Sequence, residues 1–109
     1  MLFRSLRSQD AEIRETLRRR GVPSPDHFLG EDSVEPYWTA ARLLDALPAL
    51  PAGVTELMCH PGRYDEALAY SRYGRQREIE LAALTAPEVL AAVERLGIRL
   101  GHFGALVAE

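Results

Sequence analysis

Stretches with helical periodicity alternate with short apolar stretches of strand character along this chain, in the order helix, strand, helix, strand, helix, helix, strand. Connections long enough to hold a crossover helix call for parallel pairing, because antiparallel neighbours need only a short hairpin. The alternation therefore predicts an α/β fold with parallel strands. Three strands alone make a small sheet with exposed edges, and a parallel sheet needs helices on both faces or closure into a barrel. At 109 residues the chain holds one domain at most. Residues 1–109 read as a single partial domain, its sheet completed by a partner chain or a further segment.

Local signals place the elements. Ser8 is positioned to cap a helix with Asp10 and Glu12 in its first turn; Leu6, Ile13 and Leu17 form its stripe, and Gly21 ends it after three arginines. Residues 26–30 read as a brief strand. Residues 33–36 open a second helix with Tyr37, Ala41, Leu44 and Leu47 on its apolar side, closed by Pro48, Pro51 and Gly53. Residues 63–74 form a tyrosine-bearing loop with a helical turn at 65–69, and a third helix covers 75–84. Thr85 and Glu88 make a capping box for a fourth helix with Pro87 in its first turn; Val89, Leu90, Val93 and Leu96 are its stripe and Gly97 its stop. Residues 98–103 read as the last strand.

The chemistry concentrates in one segment, Gly53-Val54-Thr55-Glu56-Leu57-Met58-Cys59-His60-Pro61-Gly62. Side chains alternate faces in a strand, so Glu56, Met58 and His60 share one side and Leu57 and Cys59 the other. Proline biases the residue before it away from the helical region, and Gly62 permits a sharp change of direction. His60 then stands at the carboxyl end of a strand, where open α/β sheets and α/β barrels place ligands and catalytic groups.

Several classes are disfavoured. The net charge of −3 supplies no broad basic surface for nucleic acid. The one cysteine, Cys59, forms no internal disulfide and offers no zinc-type spacing; it reads as a small buried apolar residue in a cytoplasmic protein. No apolar run approaches the roughly 18 residues of a membrane span. The opening residues lack the apolar core of a signal peptide and read like a lead into a helix of a larger fold.

The 53–62 segment, followed by Tyr73, Arg77, Glu80-Leu81 and Leu84, then Pro87-Glu88-Val89 and Leu96-Gly97-Ile98, resembles the C-terminal part of YdjC-like carbohydrate deacetylases. That family includes chitooligosaccharide deacetylases and a branch associated with hopanoid biosynthesis. Upstream, Gly21-Val22 and Pro25-Asp26-His27-Phe28-Leu29-Gly30 extend the likeness over nearly the whole chain. The resemblance implies the C-terminal half of a distorted TIM-like (β/α) barrel that removes the acetyl group from an N-acetylated amino sugar or oligosaccharide. It also implies a divalent metal, Mg or Zn, held by an Asp-Asp motif and two histidines of an N-terminal half. Those motifs are not found in this sequence, so the metal ligands are expected outside it.

Amide hydrolysis needs an activated water, a stabilised oxyanion and a proton for the departing amine. The resemblance assigns the last role, or stabilisation of the intermediate, to His60, since an imidazole exchanges its proton near neutral pH. Spacing alone would read His60 as a packed strand-end histidine. Tyr64, Tyr70 and Tyr73 either stack on sugar rings or anchor their loop. Arg77 and Glu80, three apart on a helix, are placed for a local ion pair, with Arg77 also a candidate substrate contact. Glu56 reads as an interior polar residue, and His27 and His102 as ordinary strand residues. The rival reading is a non-catalytic α/β module that binds a sugar or a protein through its open sheet edge. On either reading the unfinished sheet predicts association, as a homo-oligomer or with a complementing N-terminal half.

Overall fold

A computed structural model describes residues 2–30, 38–70 and 74–107. Helix α1 runs Leu2–Arg19, strand β1 His27–Leu29, helix α2 Ala40–Ala46, strand β2 Thr55–Leu57, helix α3 Gly74–Thr85 and helix α4 Pro87–Arg95. Single 3-10 turns lie at Leu47–Ala49, Glu66–Leu68 and Phe103–Val107.

The glycine stops act as the sequence predicts. Gly97 has φ +66°, which lets its N–H donate to Glu94 O at 3.1 Å while Ile98 N–H donates to Val93 O at 3.0 Å. These paired bonds satisfy the last carbonyls of α4. Gly21 closes α1 in the same way, with bonds from Gly21 N–H to Arg18 O and from Val22 N–H to Leu17 O. The start of α1 differs from expectation. The helix already runs from Leu2, so Ser8 lies inside it. Leucine and arginine in residues 2–7 propagate a helix well, and one interior serine costs less than a turn of helix gains.

Strands β1 and β2 pair in parallel, with His27 opposite Thr55, Phe28 opposite Glu56 and Leu29 opposite Leu57. Helix α2 supplies the crossover, giving the βαβ unit that the alternation predicts. The ladder is extended at both ends: Val54 O accepts from Asp26 and His27 N–H, and Leu29 O accepts from Met58 N–H at 2.8 Å. Gly30, with φ +111°, permits this last approach, because a Cβ there would lie 2.8 Å from Met58 O. Leu29 and Leu57 pack against a core of Trp38, Leu43, Leu47, Ala83, Val89 and Ala92 contributed by α2, α3, α4 and their flanks.

The expected third strand at 98–103 is not formed; among the described residues the sheet has two strands. A strand persists only where its backbone finds a partner edge, and this stretch instead leads into the Phe103–Val107 turn with Leu100 and Phe103 exposed. His102 therefore does not lie on a strand; its Nδ1 accepts from Gly104 N–H at 3.0 Å.

The proposed caps also shift. Thr39 caps α2, its Oγ1 accepting from Arg42 N–H, while the expected opening at 33–36 lies outside the described residues, as does Tyr37. Helix α2 buries Leu43 and the next turn buries Leu47, whereas Ala41 is exposed and Leu44 half-buried. Thr85 does not form a capping box. It ends α3 with its hydroxyl donating to Leu81 O at 2.7 Å, and Ala86 takes the N-cap position of α4. Helix α4 buries Val89 and Ala92, half-buries Val93 and leaves Leu90 and Leu96 exposed.

Candidate functional site

Beyond β2 the chain does not stop at His60 but continues as an extended rail along α3. Met58 is fixed on both sides: its N–H donates to Leu29 O, and its carbonyl accepts from the Trp38 indole N–H at 2.8 Å. Trp38 is itself only 5% exposed, so this anchor is part of the core. Strand pairing has ended by then, and His60 lies three residues past Leu57.

From His60 onward alternate backbone N–H groups turn toward α3. His60 N–H donates to Glu80 Oε1 at 3.1 Å, Gly62 N–H to the Arg77 carbonyl at 3.0 Å, and Tyr64 N–H to Glu78 Oε1 at 2.7 Å. Pro61 falls at the intervening position, where its lack of an N–H costs nothing. The Arg75 guanidinium lies 4.5 Å from the centroid of the Tyr64 ring, a cation–π contact that holds the ring to the helix. The loop then turns at Glu66–Leu68, where Asp65 accepts from Ala67 N–H and so caps the turn.

His60 and Tyr64 lie on the segment between β2 and α3, and Arg77 lies on α3, where its carbonyl accepts from Gly62 N–H. Tyr73 lies outside the described residues. Among the described residues Arg77 makes no ion pair with Glu80; the carboxylate turns to the His60 backbone instead. The Arg77 stem lies against Gly62, and its Nε is a buried donor without an acceptor. Such an atom forfeits hydration with no return unless something further accepts from it. Tyr70 is largely exposed.

Glu80, expected as the ion-pair partner of Arg77, instead receives the His60 amide. It is 1% exposed, on a helix face shared with buried Ala83. The available signal was its place beside the apolar run Leu81-Ala82-Ala83-Leu84, where a carboxylate is unexpected without a donor to receive it. Cys59 is half-buried and packs against the core, as its apolar reading predicts. Burial pushes its thiol up from the ordinary value, and the Glu80 carboxylate adds to that.

His27 and His102 stay apart from this cluster. The His27 Nε2 lies 3.2 Å from the Ala52 carbonyl at the other end of the sheet. An open depression lined by Arg14, Arg18, Pro25 and Asp26 shares no residue with the His60 segment. Its arginines are engaged, Arg14 with the Asp26 carbonyl and Arg18 with Glu15. Among the described residues no group of three or more His, Cys, Asp or Glu is arranged to hold a metal ion. No helix among them is long and apolar enough to cross a membrane.

Known proteins give this geometry its context. Chitooligosaccharide deacetylases of Yersinia pestis (strain Pestoides F) and Yersinia pseudotuberculosis (serotype O:1b, strain IP 31758) are each 38% identical to this chain over 76 residues. That match covers 70% of this chain and 29% of the length of each relative, so it spans under a third of them. A crystal structure from Enterococcus faecalis V583, provisionally assigned as a cellobiose-phosphate cleavage protein, superposes with a TM-score of 0.69 at 30% identity, covering 80% of this chain and 34% of that one. The profile of the YdjC-like protein family matches residues 2–95. The chain therefore belongs to the YdjC-like protein family.

Proposed function

We propose that this chain forms the C-terminal half of a metal-dependent carbohydrate N-deacetylase, a distorted TIM-like barrel in which His60 meets the scissile acetamide. The observation that carries this reading is the position of His60. It lies just beyond the carboxyl end of a parallel strand, on a segment whose alternate amides are bonded to α3. Carboxyl ends of parallel strands are where barrels assemble their sites. The names of the Yersinia relatives supply the substrate class, an N-acetylated amino sugar or oligosaccharide.

In the reaction a water gives a proton to a base in the remainder of the enzyme as its oxygen bonds to the acetyl carbon and the carbonyl π electrons move to oxygen; the oxyanion then re-forms the C=O bond as the C–N bond breaks, releasing acetate and a free amine. The amine leaves readily only if it takes a proton as that bond breaks. His60 supplies that proton, or hydrogen-bonds the oxyanion before collapse. Arg77 and the rings of Tyr64 and Tyr73 contact the sugar. The divalent metal, Mg or Zn, would activate the water; the described residues do not fit it, and its ligands belong to the remainder of the enzyme.

The test is a chimaera in which this chain replaces the matching segment of the Yersinia pestis chitooligosaccharide deacetylase. Acetate release from N-acetylated chito-oligosaccharides is followed with added Mg or Zn. General acid catalysis contributes typically 10²–10⁴-fold, so His60→Ala should lower kcat by roughly 100-fold or more. A folded, active chimaera that keeps its rate in His60→Ala would refute the assignment, and a folded, inactive one would favour a non-catalytic binding module.

A further inference from the structure

We infer that Glu80 is the positioning residue of this site, holding the His60 backbone from α3 so that the imidazole is presented in one place. The inference rests on the assignment of His60 above and deepens it. Three observations combine. Glu80 is 1% exposed, although a glutamate is almost never fully buried without a specific partner. The described partner is the amide at the reacting residue, 3.1 Å from Oε1, while Arg77 three positions earlier on the same helix is not paired with it. Pro61 follows directly and restricts His60 to extended backbone.

His60 is thus constrained from both sides, its N–H by a charged acceptor and its C-terminal side by a proline ring. The acceptor sits on α3, which also takes the Gly62 and Tyr64 amides, so the helix serves as a template for the segment. A leucine or methionine at position 80 would fill the same space beside Ala83 without desolvating a carboxylate, and packing alone gives no reason for glutamate there. An acceptor for the His60 amide does.

The experiment uses the full 109-residue chain and reads amide hydrogen exchange residue by residue by NMR, comparing wild type, Glu80→Gln and Glu80→Leu. Glutamine keeps an acceptor oxygen and should leave His60 amide protection within about threefold of wild type; leucine packs without an acceptor and should accelerate His60 exchange by roughly tenfold or more, with the Leu43 and Ala83 amides unchanged. An unprotected His60 amide in wild type overturns the inference whether or not Glu80→Leu folds, and so does equal protection in all three proteins.

The second arm separates this inference from the function it rests on. In the active chimaera Glu80→Leu should lower kcat at least tenfold with KM little changed, and Glu80→Gln should restore most of the rate. A chimaera that needs His60 but is indifferent to Glu80→Leu overturns the positioning role and leaves the deacetylase assignment standing. Loss of His60 amide protection in Glu80→Leu, in a chimaera whose rate ignores His60→Ala, upholds the hydrogen bond and sinks the assignment.

Discussion

Replacing Gly30 with alanine should cost more than the same change at the helix-ending glycines, and the structure gives the reason in two separable parts. Gly30 has φ +111°, a backbone region that L-residues rarely occupy. Strain of this kind costs about 1–3 kcal/mol. The added Cβ would also stand 2.8 Å from Met58 O and 2.9 Å from Met58 Cβ, well inside van der Waals contact. The nearer atom belongs to a carbonyl held by the Trp38 indole, so it cannot yield without breaking that bond. Overpacking adds about 1–3 kcal/mol. The sum, about 2–6 kcal/mol, is a large part of the roughly 5–15 kcal/mol that holds a domain together. Gly21 and Gly97 are the internal controls. Their φ values are +71° and +66°, yet a Cβ at either position would meet nothing within 4 Å, so each alanine there carries only the backbone term, about 1–2 kcal/mol. Urea unfolding of the three variants, extrapolated linearly to water, measures both parts. If Gly30→Ala costs no more than Gly97→Ala, the close approach of the β1 end to Met58 is not what the glycine is for, and the account of the sheet edge is wrong.

Trp38→Phe keeps most of the apolar volume but removes the donor to Met58 O, and should cost about 1–3 kcal/mol by the same urea assay; a loss below a few tenths would show that the indole bond does not anchor the segment leading to His60. The Cys59 thiol is held above its ordinary value of 9.0 by burial and then by Glu80, so it should remain protonated and label slowly with thiol reagents in the folded chain at neutral pH. Because the folded-state value is the raised one, its contribution to stability is complete below about pH 9 and is lost as the pH climbs through the raised value, where the unfolded chain ionises first. Urea titrations of wild type and Cys59→Ala from neutral to alkaline pH should therefore diverge only on the alkaline side, and curves that stay parallel would contradict the shift.

Features set by neighbouring residues were readable in the sequence. Gly21 and Gly97 stop their helices, the 26–30 and 53–62 segments contain the paired strands, and the turn after Asp65 forms where its side chain can cap it. What failed turned on partners distant in sequence or on a choice between two local hydrogen bonds. Residues 98–103 have strand composition, but composition provides no edge to pair with. Thr85 had two acceptable uses, a cap for α4 or a bond back into α3, and the hydroxyl took the Leu81 carbonyl. Within 40–47 two overlapping apolar stripes satisfy the same period, and the positions of α3 and α4 select Leu43 over Ala41. The expected Arg77–Glu80 ion pair failed for the same reason: the carboxylate accepts from an amide twenty residues away.

That separation in sequence also explains why so short a motif can be recognised. Three bonds that hold the His-Pro-Gly segment run to a single helix, from positions 60, 62 and 64 to positions 80, 77 and 78. A proline is tolerated at 61 because the alternation of a strand continues past the end of the ladder, leaving that residue's N–H side turned away from α3. Had the chain coiled at once after Leu57, proline at 61 would have no preferred phase and His60 no fixed amide acceptor. The setting of His60 therefore draws on α3 as well as on the Leu29 and Trp38 bonds to Met58. On the proposed deacetylase reading, the substrate would meet an imidazole whose backbone is already held by α3.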